Sequence, residues 1–137
     1  MKVGEMMSGN VRLVAPDDTL AHAARVMAEQ DVGSLPVGED DRLVGFLTDR
    51  DIAVRAVAQG LGAEARVRQV MSGEVKYCYD DDDVEEVALN MADLELRRMP
   101  VVNRDKRLVG IVSLGNFAQC GAPRASQELL EGVAARH

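Results

Sequence analysis

Two short constellations in this 137-residue chain carry side chains able to hold a polar ligand. One is Thr48-x-x-Asp51, a hydroxyl followed three residues later by a carboxylate. The other is Ser113-x-x-Asn116, the same arrangement with an amide in place of the acid. Each stands at the end of an apolar run, Leu43 to Leu47 or Leu108 to Val112, where hydrophobic spacing changes from strand-like to helix-like. A binding site is best sought at such a junction. The same residues also satisfy a helix N-cap, Thr48 accepting from a backbone N–H while Asp51 reaches back, worth about 1 kcal/mol of helix stability. Local sequence leaves both readings open.

Other reactive side chains point to no catalytic centre. There is no nucleophile beside a base, no glycine-rich phosphate loop, and no convincing metal set. Cys78 and Cys120 have neither a CxxC spacing nor a nearby His, so buried free thiols are expected rather than zinc ligands or a disulfide. His22 falls one turn into a predicted helix and His137 is the last residue; neither has a partner for a triad or a metal. The acidic run Asp80 to Asp83 invites a calcium reading but lacks the spaced ligands and central glycine of a calcium loop. Helix capping and favourable charge at a helix N-terminus explain it better.

The elements that must position these residues come in duplicate. Arg42-Leu43-Val44-Gly45-Phe46-Leu47-Thr48 returns as Arg107-Leu108-Val109-Gly110-Ile111-Val112-Ser113, and the match extends through Met7/Met71, Val11/Val75, Asp17/Asp81, Ala24/Ala88, Met27/Met91 and Pro36-Val37/Pro100-Val101. The offset is 64 up to Val37 and 65 from Arg42, which places one extra residue in the turn Asn103 to Lys106. In each copy a short helical turn (Met1 to Gly9, Val67 to Gly73) leads to a β-rich strand (Val11 to Val14, Val75 to Tyr79). A helix follows, apolar at Leu20, Ala23, Ala24 and Met27, or at Val84, Val87, Ala88 and Met91. Gly33 is suited to end the first helix in a left-handed conformation. Leu35-Pro36-Val37 then opens a hairpin with Leu43 to Leu47, its proline fitting a strand start or an edge. A closing helix over Asp49 to about Ala58 is stopped by Gly60 and Gly62. In the second copy Gly121 and Pro123 cut the closing helix short. That leaves 125–137 as an appended helix or tail with an apolar face at Leu129, Leu130 and Val133.

The division expected is 1–62, 63–120 and a tail at 121–137. Each copy would be marginal alone, so a shared core is expected. With 47% hydrophobic residues the chain suits one compact domain, and its net charge of −7 argues against nucleic acid or an anionic membrane as main partner. No apolar run approaches the ~20 residues that span a bilayer and no signal-peptide core is present, so a cytoplasmic location is expected. Ile52, Ala53, Val54, Ala56 and Val57 give the first closing helix more apolar coverage than one core-facing stripe, which suggests a homodimer.

The strand-helix-strand-strand-helix unit, the "Leu-Pro-Val" and "Met-Pro-Val" segments, the two "Leu-Val-Gly" strands and the Thr48-x-x-Asp51 ending together resemble the CBS domain, named after cystathionine β-synthase. The pair, covering residues 1 to 120, resembles a Bateman module, most like the small bacterial stand-alone CBS-pair proteins. The resemblance implies an α/β (α+β) fold of tandem β-α-β-β-α motifs related by a pseudo-two-fold. It also implies a regulatory, non-enzymatic module binding an adenosine derivative (AMP, ADP, ATP or S-adenosylmethionine) in clefts between the motifs. Carried over by motif, Thr48 and Asp51 hold one ligand, with the carboxylate on the ribose hydroxyls and the helix start suited to phosphate. Leu35, Pro36 and the segment from Val11 to Leu13 line an adenine slot, and Arg97 and Arg98 match positions that in some relatives face phosphates. In the second copy Ser113 keeps the hydroxyl, but Asn116 stands where the acid belongs and Gly115 where Arg50 stands, which predicts a weaker second site. The alternative is a structural or protein-interaction module, with an unknown protein target, whose pocket has degenerated.

Overall fold

Proline placement decides how much of each copy becomes sheet. In the computed structural model, which describes residues 1–119, β1 (Ser34–Glu39) and β2 (Arg42–Thr48) form an antiparallel hairpin, as do β4 (Arg98–Val102) and β5 (Leu108–Ser113). The strands expected at Val11 to Val14 and Val75 to Tyr79 are shorter than expected. The first is a single parallel bridge, Val14 to Val37; the second is β3, Cys78–Tyr79, parallel to β4. Val14 donates to the Pro36 carbonyl and Gly38 donates to the Val14 carbonyl. The next rung toward Arg12 needs an N–H from residue 36, and proline has none; Pro100 removes the same rung in the second copy. Pro16 removes the rung beyond Val14, where Asp80 in the second copy still donates to the Val102 carbonyl. Thus one copy keeps a two-residue strand and the other only a bridge.

The chain divides into two compact units, Arg12–Val75 and Met1–Val11 together with the chain from Lys76 onward. The first contains α1 (Leu20–Gln30), β1, β2 and α2 (Asp49–Asp51), which runs on as a π-helix over Ile52–Ala56 and a 3-10 turn at Val57–Gln59. The second contains β3, α3 (Val84–Asp93), β4, β5 and α4 (Leu114–Gln119). Cys120, Gly121, Pro123, Leu129, Leu130, Val133, His137 and the tail at 125–137 lie outside the described residues.

Each unit has its own apolar cluster. One gathers Val14, Leu20, Val26, Leu35, Leu47 and Val67; the other gathers Val3, Val84, Met91, Met99, Val112 and Phe117. What the copies share is their leading segment. The 3-10 turn Val3–Glu5 precedes the first copy but buries Val3 in the core of the second, while the turn Val67–Gln69 buries Val67 in the core of the first. Ser8 exchanges two backbone hydrogen bonds with Ile111 of β5, and Ser72 exchanges two with Phe46 of β2. This exchange explains the glycine in both "Leu-Val-Gly" strands. A Cβ on Gly45 would lie 2.6 Å from Met71 Sδ, and one on Gly110 would lie 2.5 Å from Met7 Sδ.

Three local expectations change. The left-handed residue ending α1 is Asp31 (φ 54°), not Gly33, since a short acidic side chain tolerates that region. Gly33 serves another purpose: a Cβ there would meet Asp49 Oδ2 at 3.0 Å. On α1, Val26 is buried and Ala24 exposed, so the stripe is turned slightly from the one on α3, where Val84, Val87, Ala88 and Met91 are all buried as expected. The closing helix of the first copy is π-helical at its centre rather than regular, and Gly60 (φ 81°) caps it. The turn Asp40-Asp41 has positive φ at both positions, a type I′ hairpin turn built on acids instead of glycine.

Candidate functional site

The end of β2 sets the geometry of the Thr48 constellation. Thr48 pairs across the hairpin with Ser34, and the Asp49 N–H donates to the Gly33 carbonyl at 2.9 Å, fixing the strand end where the helix begins. Thr48 is extended (φ −116°, ψ 160°), and its Oγ1 accepts from the Asp51 N–H at 3.0 Å. The Asp51 Oδ2 atom accepts from the Thr48 N–H at 3.0 Å. Both halves of the capping box are therefore formed. They do not exhaust the polar groups, however. The Thr48 hydroxyl can still donate its proton, and among the described residues no hydrogen bond reaches Asp51 Oδ1. The nearest cation to that oxygen is Arg55, whose Nε lies 3.9 Å away. Arg55 was not singled out from the sequence; its i,i+4 spacing from Asp51 was the available signal.

The second copy reproduces the backbone and alters the chemistry. Asn116 Oδ1 accepts from the Ser113 N–H (2.9 Å) and from the Ser113 hydroxyl (3.0 Å), while the Asn116 N–H donates to Ser113 Oγ at 3.4 Å. The Asn116 amide donates to Ser8 Oγ at 3.3 Å. Its only acceptor oxygen already takes two donors, where Asp51 keeps one oxygen free of hydrogen bonds. Arg98 pairs across the hairpin with Ser113, and the Leu114 N–H donates to the Arg97 carbonyl at 3.0 Å. The two arginines thus stand where Gly33 and Ser34 stand in the first copy. No ion pair among the described residues engages either guanidinium. Formal charge at the two hairpin ends differs accordingly: Asp49, Arg50 and Asp51 at one, Arg97 and Arg98 at the other.

The remaining expected residues fall in two groups. Leu35 and Pro36 share the Thr48 unit, but both are buried, so the Leu35 side chain belongs to the core and only nearby backbone is left to offer. Leu13 is 39% exposed and lies against Gly38, in the same unit. Arg50 is exposed, with its N–H donating to Asp49 Oδ1 at 2.8 Å. Val11, Arg97, Arg98, Ser113 and Asn116 belong to the other unit. Sequence reasoning also missed a shallow groove of about 290 Å³ lined by Ala24, Met27, Ala28, Val32, Asp49 and Ile52.

The acidic run has structural work. Asp83 is the N-cap of α3, accepting from the Glu85 and Glu86 N–H groups, Asp82 accepts from the Tyr79 N–H, and Asp81 takes both arms of Arg104. The Arg104 guanidinium also stacks 4.0 Å over the Tyr79 ring. Hydrogen bonding from Arg104 holds the Asp81 carboxyl below its usual range. Cys78 is buried beside the Pro100 carbonyl, and desolvation, aided by nearby Asp82, pushes its thiol up to about 12. Among the described residues no group of three or more His, Cys, Asp or Glu side chains converges on a metal-sized site, and no helix is long and apolar enough to cross a membrane.

Comparison with known proteins gives this geometry a context. The chain is 40% identical over 116 residues to the CBS domain-containing protein YhcV of Bacillus subtilis, covering 85% of this chain and 82% of that one. It is 37% identical over 117 residues to hypoxic response protein 1 of Mycobacterium tuberculosis, covering 84% and 81%. A crystal structure of Hypoxic Response Protein I with two coordinated zinc ions superposes with a TM-score of 0.79 at 35% identity, covering 88% of this chain and 98% of that one. CBSX2 in complex with AMP matches with a TM-score of 0.77 at 26% identity, covering 90% and 97%. The CBS domain pair of protein MJ0100, in complex with 5-methylthioadenosine and S-adenosyl-L-methionine, matches at 0.74 and 25% identity, covering 90% and 98%. The CBS domain model matches residues 3–57 and again 67–120, and the chain belongs to the CBS domain family as a tandem pair.

Proposed function

We propose that this protein is a regulatory sensor that binds an adenosine derivative through Thr48 and Asp51 and has no catalytic role of its own. The observation that carries this reading is Asp51 Oδ1: a carboxylate oxygen in the first turn of a helix, reached by no hydrogen bond among the described residues while its partner oxygen is pinned by the Thr48 N–H. A pinned carboxylate with a free oxygen suits a ribose diol, since its lone pairs can accept from adjacent hydroxyls. AMP in CBSX2, and methylthioadenosine with S-adenosylmethionine in the MJ0100 pair, support the choice of ligand class. Binding in the micromolar to millimolar range, about 4 to 8 kcal/mol, suits a sensor of metabolite levels. To signal, the ligand must favour one conformation or assembly over another.

We further propose that the protein works as a homodimer, because Val54 and Val57 on the closing helix are 44% and 69% exposed. A second reading, an interaction module with a degenerate pocket, is favoured only at the second copy, where Asn116 is consumed by Ser113 and Ser8. A thermal-shift panel of AMP, ADP, ATP, S-adenosylmethionine and NAD separates the two. A ligand at a hundredfold its Kd stabilises the native state by about 2.7 kcal/mol, so at least one adenosine compound should raise the melting temperature. No shift with any of them contradicts the sensor reading.

A further inference from the structure

We propose that Arg55 is a positioning residue for ligand recognition, holding the Asp51 carboxylate so that Oδ1 is presented to the ribose hydroxyls. The inference rests on the adenosine reading above and adds to it a residue outside the Thr48-x-x-Asp51 motif. Three observations carry it. First, the Thr48 N–H fixes Oδ2 at 3.0 Å, so the orientation of the remaining oxygen depends on what faces it. Second, what faces it is Arg55 Nε at 3.9 Å, too far for a hydrogen bond, so the guanidinium attracts the carboxylate without taking its lone pairs. Third, Arg55 is itself tethered, its Nη1 donating to the Val70 carbonyl at 3.2 Å.

The Asp51 side chain is only 17% exposed, so a neighbouring charge acts on it through less water than on the surface. The turn that delivers Arg55 is the π-helix Ile52–Ala56, which starts directly after Asp51. Such turns are rare and recur at functional sites. Among the described residues of the second copy no guanidinium forms an ion pair or a hydrogen bond with the Asn116 side chain. Asn116 faces Ser8 instead of a guanidinium, and the sequence position matching Arg55 is Cys120.

Arg55 also tethers the Val70 carbonyl, a structural role that does not depend on the ribose hydroxyls. Isothermal titration of wild type, Arg55→Gln and Asp51→Asn with AMP and with 2′,3′-dideoxy-AMP separates the two roles, because only a role acting through Asp51 depends on the ribose hydroxyls. Wild type should prefer AMP, and Asp51→Asn should lose most of that preference. Arg55→Gln should weaken AMP by about two- to fivefold, the range for a half-exposed ion pair, and leave the dideoxy compound unchanged. Arg55→Lys keeps the charge but lacks the fork that serves both Val70 and Asp51, and should fall between; it stands in if the Gln variant folds poorly. If Asp51→Asn abolishes the preference while both Arg55 variants retain it in full, or weaken both ligands alike, the positioning role is overturned and the ribose reading survives. If wild type itself does not distinguish the ligands, the ribose reading fails and takes the role of Arg55 with it.

Discussion

Replacing Asp51 by Ala removes two interactions at once, and the two have separate observables. Loss of a charge-assisted acceptor should weaken an adenosine ligand by roughly 1.5 to 3 kcal/mol, measured by calorimetry. Loss of the reach back to the Thr48 N–H should lower unfolding stability by about 1 kcal/mol, measured by denaturant titration. Equal binding by both proteins would remove Asp51 from the ribose. The capping box was legible in Thr48-x-x-Asp51, and the same spacing leaves a ligand-holding hydroxyl–carboxylate pair as the proposed second use. What the spacing could not convey is that one oxygen takes no hydrogen bond among the described residues, because that depends on Arg55 standing 3.9 Å off. Cys78 offers a pH test at the same scale. Desolvation lifts its thiol from the ordinary 9.0 to about 12, so across that window the unfolded chain holds fewer protons than the folded one. The thiol's contribution to stability is complete below pH 9 and is lost as pH rises through the window. Native protein carrying Cys120→Ser should therefore resist thiol reagents at neutral pH and react only on unfolding; rapid native labelling would contradict the burial.

Among the elements, the glycines of β2 and β5 are the sharpest point of failure. Gly110→Val should destabilise the protein by about 1 to 3 kcal/mol, because the new side chain meets Met7 Sδ and the Ser8 carbonyl. Met7→Ala should recover part of that loss in the double variant, as read by thermal unfolding; strict additivity would show that the exchanged leading segment is not what the glycine accommodates. Capping of α3 gives a smaller effect. Asp83→Ala should cost about 1 kcal/mol, since Asp83 accepts from two orphan N–H groups. Much of this layer was legible: α1, α3, both hairpins and the Gly60 stop follow from spacing and turn chemistry. Three features were not. The shortening of the strands at Val14 and Cys78 depends on which side of β1 and β4 the proline nitrogens face. The π-helix over Ile52–Ala56 has no composition signal of its own. The exchange of Met7-Ser8 and Met71-Ser72 pairs sequence-distant segments, and a repeat alignment that matches Met7 to Met71 gives no hint that each packs on the other copy.

For the whole molecule, the duplication predicts likeness and the substitutions predict division of labour. Light scattering at micromolar concentration should report a dimer. Val57→Glu, which places a charge on a side chain now 69% exposed, should shift it toward monomer. A monomeric wild type would contradict the assembly. The proposed working site is the intact constellation at Thr48 and Asp51, with the altered one at Ser113 and Asn116 secondary. Titrating wild type and Asn116→Asp with AMP, and counting sites per chain, tests it most directly. One strong site per chain is expected in wild type, with any second site filling only at tenfold or higher concentration, equivalent to about 1.4 kcal/mol. Asn116→Asp should strengthen that second site. Two equal sites in wild type, or one site abolished by Ser113→Ala and untouched by Thr48→Ala, would contradict it.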